Sequence, residues 1–265
     1  MIRSIKLFAN NNEKCTRIAE LVRARLLQNG FIVNAAEYEL GIAIGGDGSF
    51  LRMVKENNFA DNVYFIGINS GTLGFMQDVS LSDIDELITS LKNERYDVEK
   101  ICIQETCVKH SKGEDKFYSL NEIVVRSSDL KLLKVEVLIN NSLLERYTGD
   151  GILVATPTGS TAYNLNIGGS VMYNSLACLQ ITPITPINSS VYHTITNSII
   201  IPEYAKVTFL TLEEDKELLI NADGETRIFR GVKKIETKIA GKKIKVVRLK
   251  GYNFEQKINE KLLSG

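Results

Sequence analysis

Ile42-Ala43-Ile44-Gly45-Gly46-Asp47-Gly48-Ser49-Phe50-Leu51 is the stretch on which the reading of this chain turns. A short apolar run enters three glycines set around one aspartate, and the spacing beyond them predicts a helix over Phe50 to Lys55. The order is strand, tight loop, helix start. Glycines let backbone N–H groups approach phosphate oxygens closely, and a helix N-terminus favours negative charge. Asp47 then stands where phosphates would gather. The loop lacks the Gly-Lys-Ser/Thr ending of a Walker A motif and differs from the dinucleotide G-x-G-x-x-G. Taken alone, the stretch reads equally well as a plain Asp-Gly turn between strand and helix.

The flanking chain repeats the alternation. Ile2 to Ala9 reads as a buried strand. Asn11 or Asn12 caps a helix reaching Gln28, with Ile18, Leu21, Val22 and Leu26 on its apolar face and Asn29-Gly30 as its stop. A short strand at Phe31 to Val33 precedes the glycine loop. Val63 to Ile68 is a further strand, entering a second glycine loop, Asn69-Ser70-Gly71-Thr72-Leu73-Gly74-Phe75-Met76. Ser80 or Ser82 caps a helix to about Lys92. Strands alternating with helices predict a parallel sheet covered on both faces, with ligands at the C-terminal ends of its strands. Both glycine loops leave strands at that edge, which makes Gly45, Gly46, Gly71, Thr72 and Gly74 candidates for phosphate contact.

Near Arg95 the texture changes. Val135, Val137 and Ile139 alternate at period two, and short β-like runs follow at Ile199 to Ile201, Val207 to Leu212 and Leu218 to Ile220. All four prolines fall in this half. It reads as a β-rich domain, a sandwich. Lys242 to Leu249 is a last strand. A final helix from Asn253, with Phe254, Ile258 and Leu262 on one face, is expected to pack back on the first domain. The expected division is 1–95 with 250–265 as an α/β domain, and 96–249 as an all-β domain.

The chain has 265 residues, 44% hydrophobic and 24% charged, enough for a sizeable core. Lys plus Arg equals Asp plus Glu at 32 each, so bulk charge gives no reason to expect nucleic acid or an anionic membrane as partner. Lysines crowd residues 233–250, but without interleaved aromatics they read as a solvated face of edge strands. Four cysteines without C-x-x-C pairing and two histidines without ligand spacing point to free thiols and to no protein-held metal. The N-terminus lacks a signal peptide's apolar stretch, and no apolar run nears the roughly 20 residues a bilayer needs. A soluble, cytoplasmic protein is expected.

Three further motifs carry chemistry. Asn121-Glu122 offers an amide and a carboxylate suited to ribose hydroxyls or an adenine edge, or is a surface turn. Tyr147-Thr148-Gly149-Asp150-Gly151 is a second Gly-Asp-Gly, or a turn between strands. In Thr156-Pro157-Thr158-Gly159-Ser160-Thr161-Ala162-Tyr163-Asn164, five of nine residues carry hydroxyls. Thr158-Gly159-Ser160 can cap a helix while turning hydroxyls and N–H groups to a polar pocket, and Tyr163 can stack on a flat base. The alternative is an ordinary cap beside a packed tyrosine. Glycine loops with a carboxylate, polar base- and sugar-binding groups and no metal cluster suit phosphoryl transfer, with the metal carried by the nucleotide.

In this set and order, the motifs resemble those of the bacterial NAD kinases over nearly the whole chain. The Gly-Gly-Asp-Gly loop is shared with phosphofructokinases and with diacylglycerol and sphingosine kinases, whereas Thr-Pro-Thr-Gly-Ser-Thr-Ala-Tyr is more specific. The resemblance implies a Rossmann-like, phosphofructokinase-like N-terminal α/β domain and a C-terminal β-sandwich. It implies transfer of the γ-phosphate of ATP to the 2′-hydroxyl of the adenosine ribose of NAD, with Mg²⁺ or Mn²⁺ carried with ATP and polyphosphate as a possible donor. Asp47 would be the catalytic carboxylate and Gly48 would lie against substrate. Asn121 and Glu122 would hold adenosine and ribose, and Ser160, Thr161, Ala162 and Tyr163 would line the adenine pocket, with Asn166 near the nicotinamide half. Asp150 and Thr185 would reach substrate on a neighbouring subunit, which implies a homotetramer built as a dimer of dimers.

The chain departs from the family pattern at several positions. Asn166 replaces a usual serine, and Ile167-Gly168-Gly169-Ser170 replaces Ala-Gly-Gly-Pro. Thr148 stands for a frequent arginine, Thr185 for alanine and Glu225 for glutamine. Two other readings use the same residues: a kinase for a lipid or sugar hydroxyl, and a sensor that binds NAD or NADP without turnover. The adenine-pocket motif argues against the first, and the intact Asp47 against the second.

Overall fold

The structure is a computed structural model that describes residues 2–71, 74–129, 131–190, 193–213 and 216–263. In chain order the first elements are β1 (Ser4–Ala9), α1 (Glu13–Gln28), β2 (Ile32–Val33), β3 (Leu40–Gly45), α2 (Asp47–Glu56), β4 (Tyr64–Asn69) and α3 (Ile84–Lys92). A β-rich run follows: β5 (Tyr96–His110), β6 (Gly113–Ser119), β7 (Glu122–Ser127), β8 (Leu133–Ile139) and β9 (Ser142–Ala155). Then come α4 (Tyr163–Asn166), β10 (Cys178–Pro186), β11 (Ile199–Pro202), β12 (Lys206–Thr211), β13 (Glu217–Ala222), β14 (Glu225–Arg230), β15 (Val232–Leu249) and α5 (Phe254–Ile258). The chain divides into two compact units, Met1–Ile101 with Lys243–Gly265, and Cys102–Lys242.

In the first unit five strands run parallel in the order β2-β1-β3-β4-β15. Every residue of β3 is buried, which is why its sequence is a continuous apolar run rather than an alternation. On α1, Cys15, Ile18, Val22 and Leu26 are buried at helical spacing, each worth about 1.5–3 kcal/mol if wholly removed from water. The Asn12 side chain accepts the Cys15 N–H and starts the helix. Ser80 and Asp83 form a capping box ahead of α3. Because β1 and β3 are neighbours while β2 lies beyond β1, the strand order reverses between them. This switch point is the usual ligand crevice of such sheets.

The second unit is antiparallel, in the order β14-β13-β7-β9-β8-β12-β15, with β10 added on β9, β11 on β10, and the β5–β6 hairpin joined through β5 to β15. Alternation splits its residues by face. Ile123, Val125, Ile152 and Val154 enter the main core with Phe209 and Leu218. Val124, Leu153, Ala155 and Ile184 form a separate small apolar cluster on the other face, against Tyr163 and Ile167.

Several local expectations are corrected. α2 starts at Asp47, three residues before Phe50, because extended Gly46 caps it through its backbone. Gly149-Asp150-Gly151 is no turn but lies inside β9. A Cβ on Gly149 would stand 2.9 Å from the Thr185 carbonyl, and one on Gly151 would stand 2.7 Å from the Val125 carbonyl. The glycines therefore serve close strand approach. Residues 233–250 are not an edge face, since β15 pairs with β12 and with β4. Arg248 is buried rather than solvated. In the C-terminal helix Phe254 and Lys257 are buried and Leu262 is exposed, because a π-helical turn, Asn259–Leu263, shifts the phase after α5.

Candidate functional site

In the first unit the two glycine loops leave neighbouring strands side by side, with Gly45 opposite Asn69. The Ser70 N–H donates to the Gly45 carbonyl at 3.3 Å, and the Asn69 side chain accepts the Gly71 N–H at 2.8 Å. Gly45 has φ +150°, and a Cβ there would lie 2.3 Å from Ser49 Oγ. Only glycine serves at that position. Gly46 and Gly48 differ: a Cβ on either would meet nothing within 4 Å. Their backbone borders open space at the head of α2, where the first N–H groups lack helical acceptors.

Asp47 opens α2, and its carboxylate reaches the second loop. Oδ2 accepts the Phe75 N–H and Oδ1 the Met76 N–H, both at 2.8 Å. Gln77 Nε2 donates to the Gly46 carbonyl at 2.7 Å, and Gln77 Oε1 is buried without a partner. Gly74 leaves room for both groups. A Cβ there would stand 2.2 Å from Asp47 Oδ1 and 2.5 Å from Gln77 Oε1. A carboxylate oxygen and an orphaned amide oxygen thus lie side by side against the Gly74 backbone. Hard oxygen donors of this kind, few in number, fit a divalent ion held mainly by substrate phosphates. Thr72, expected in this loop, lies outside the described residues.

Behind the second loop, Asp78 is buried between Arg248 and Lys257, and Arg248 also binds Glu99. Burial pushes the Asp78 carboxyl up, but the Arg248 and Lys257 cations outweigh it and hold the group below the usual carboxylate range.

In the second unit, Glu122 opens β7 and Asn121 precedes it. The Asp223 carboxylate, in the β13–β14 turn, accepts the N–H groups of Leu120, Asn121 and Glu122 at 2.6, 2.8 and 3.3 Å. Burial first, and the Asp223 charge second, push the Glu122 carboxyl up to about 8. The Thr156–Asn164 segment packs directly on this pair. The Thr156 N–H donates to the Asn121 carbonyl, and a Cβ on Gly159 would stand 2.1 Å from that same oxygen. Asn121 Oδ1, Glu122 Oε2 and Thr158 Oγ1 are all buried without partners. Three orphaned polar atoms on two segments in contact hold hydrogen-bonding capacity that the fold itself does not use.

Several other expected residues have structural partners within the fold. The Ser160 hydroxyl is wholly buried, donating to the Pro157 carbonyl and accepting the Met172 N–H. Thr161 donates to the Thr158 carbonyl. Buried Asn164 binds Gln180 and Thr182 and so ties the segment to β10. Ala162 lies in the short link to α4, and the Tyr163 hydroxyl accepts from Arg126 Nη2 at 2.6 Å. Asn166, Asp150 and Thr185 are exposed. Thr185 has φ +47° and lies between the Ile184–Gly151 and Pro186–Gly149 pairs of β10 with β9.

Sequence reasoning missed Gln77, Asp223 and Arg126. Arg126 had one signal, since Glu122, Val124 and Arg126 share a face of β7 at period two. Gln77 and Asp223 act through contacts 31 and about 100 residues away in sequence, which no local pattern carries.

A family model, the ATP-NAD kinase C-terminal domain, matches residues 120–249. The chain is 39% identical over 236 residues to an NAD kinase of Finegoldia magna, covering 86% of each. The chain belongs to the NAD kinase family. An NAD kinase of Streptococcus pneumoniae is 36% identical over 247 residues, covering 92% of this chain and 90% of its own. In fold, yeast NADH kinase complexed with NADH superposes with a TM-score of 0.85 at 17% identity, over 98% of this chain and 87% of the yeast chain. An NAD kinase from Archaeoglobus fulgidus in complex with ATP gives 0.73 at 21%, over 98% and 96%. As in NAD kinases, an α/β unit and a β-sandwich unit make up this chain.

Proposed function

We propose that this chain is an NAD kinase, moving the γ-phosphoryl group of ATP to the 2′-hydroxyl of the adenosine ribose of NAD and forming NADP. Membership of the family supports the reaction. The observation that carries its assignment to this site is the fixed Asp47 carboxylate. Two backbone N–H groups orient it at the head of α2, and each oxygen keeps a lone pair free. The 2′-oxygen forms the new bond to the γ-phosphorus as the bond from that phosphorus to the β,γ-bridging oxygen breaks, and ADP leaves. Asp47 orients the hydroxyl and takes its proton. The transition state is loose, so the chain's main work is placement and electrostatics.

Asn121, Glu122 and Thr158 bind adenosine and ribose groups through their orphaned atoms, with Tyr163 and the small apolar cluster beside the base. Gly45, Gly46, Gly48, Gly71 and Gly74 border the phosphates. Asp47 and Gln77 Oε1 would hold a divalent ion brought with ATP, which would supply positive charge against the charge that develops on the phosphates. Asp150 and Thr185, exposed on this chain, serve a neighbouring subunit's site in a tetramer built as a dimer of dimers. No described helix is long and apolar enough to cross a membrane, and the cytoplasm is the proposed location.

The test is NADP formation from NAD, ATP and Mg²⁺, read by an NADP-specific dehydrogenase, with Asp47→Asn alongside. Loss of about 10²–10⁴-fold in turnover with NAD still bound is the expected result. A wild type that binds NAD and makes no NADP would reject the reading.

A further inference from the structure

Phosphoryl transfer needs cationic charge on the donor's phosphates, and P-loop enzymes place a lysine in the loop itself. Here Gly45 to Ser49 contains none. The C-terminal segment supplies one. Asn253 caps α5 by accepting the Gln256 N–H, and the π-helical turn Asn259–Leu263 then turns Leu262 outward and leaves Lys261 half-buried. Such turns are frequent at functional sites. Between this segment and the loop after β4 lies a cavity of about 180 Å³, whose charged lining is Asp78 and Lys257, paired with each other, and Glu260 and Lys261 at its outer side, with Gln77 and Tyr252 beside them. Gln77 is the residue that ties down Gly46 and whose Oε1 has no partner.

The two lysines differ. Lys257 is committed to Asp78 and is 8% exposed. Lys261 makes no salt bridge among the described residues. Burial and the Lys257 charge hold its ammonium below the usual lysine range, while the Asp47 carboxylate draws it back up. It is therefore a cation within electrostatic reach of Asp47 and without a committed partner.

We propose that this cavity receives the phosphate chain of the phosphoryl donor, with Lys261 as its cation and the Asp78–Lys257 pair as its fixed wall. The inference rests on the NAD kinase reading. About 180 Å³ is room for several water-sized groups, the scale of a phosphate chain.

Steady-state kinetics and calorimetry with inorganic tripolyphosphate test this on the full chain. For Lys261→Ala we expect the KM for ATP and the Kd for tripolyphosphate to rise together by about ten- to a hundredfold. The KM for NAD and the Tm should stay unchanged, and Lys261→Arg should recover most of the loss. Unchanged ATP KM and tripolyphosphate Kd would overturn the proposal. So would the same loss appearing instead in Lys14→Ala, whose ammonium lies beside Gly71. A wild type that makes no NADP would refute the function, while tripolyphosphate binding would still decide the cavity.

Discussion

Replacing Gly48 by alanine separates substrate contact from protein packing at a single position. Gly48 is the second residue of α2, its φ is not positive, and an added Cβ meets no protein atom within 4 Å. On the protein alone, the change removes a helical glycine and stabilises by about 0.5–1 kcal/mol. That corresponds to a Tm gain on the order of 2–4 °C for a chain of this size. The new methyl group also projects into the space where substrate is proposed to meet the loop. Apolar contact distance is about 3.5–4.0 Å, so a Cβ added beneath a substrate at that distance displaces it by roughly 1 Å. Misplacement on that scale costs about 10²-fold in rate. Thermal unfolding and the NADP assay on one preparation give both numbers. A raised Tm with a hundredfold loss in kcat/KM is the expected pair. A raised Tm with full activity would refute the placement of substrate against Gly48.

Gly74→Ala should behave oppositely, because its Cβ would strike Asp47 Oδ1 and Gln77 Oε1. Stability should fall by about 1–3 kcal/mol and turnover by about 10² or more, read by the same two assays. Asp78→Asn leaves Arg248 and Lys257 buried without their shared carboxylate and should cost about 3–5 kcal/mol, measured by urea unfolding. For Glu122 the folded pKa, about 8, lies above the unfolded one. Its contribution to stability is therefore whole below the ordinary glutamate range and is lost as pH rises through about 8. Glu122→Gln should remove that slope, a change on the order of 5 kcal/mol at most, and a wild-type Tm flat between pH 5 and 9 would contradict it.

Much of the architecture was legible because it rests on local rules. The buried β3 shows as an unbroken apolar run, α1 shows as a cap plus a 3.6-residue stripe, and the β-rich half shows as period-two alternation. The site was legible where backbone geometry demands a residue type, as at Gly45 and Gly159. It was not legible where the partner is remote. Arg248 looked like one more lysine-rich surface position, but its carboxylates, Asp78 and Glu99, lie about 150 residues or more away. The second Gly-Asp-Gly looked like a turn because glycine has two uses, sharp reversal and close approach. Only the neighbouring Val125 and Thr185 carbonyls decide between them. Ser160 looked like a site hydroxyl, but hydroxyls that bind ligand and hydroxyls that brace a loop are identical in sequence.

Asp47 and Asp223 show why one carboxylate is suited to chemistry and the other to support. Both sit beside a glycine and both accept consecutive backbone N–H groups. Asp223 takes three, two of them on Oδ1, and serves the segment whose side chains are the orphaned ones. Asp47 takes two, one on each oxygen, so neither oxygen is crowded. Among the described residues, its nearest neighbours are Gly74, Gly48 and Gly46, which contribute no side-chain bulk, and Gln77 Oε1, which offers only another acceptor. Backbone donors fix a carboxylate without a side-chain cation that would compete for the incoming hydroxyl or metal ion. The Asp47 carboxylate is thus held in position with acceptor capacity left on each oxygen, and that combination is what positioning-dominated phosphoryl transfer requires. Asp223→Asn should therefore weaken NAD binding through Asn121 and Glu122 and leave kcat nearly intact. Asp47→Asn, an isostere that keeps one carbonyl acceptor, should lower kcat and leave binding nearly intact. Equal effects of the two changes on kcat would show that this division of labour is wrong.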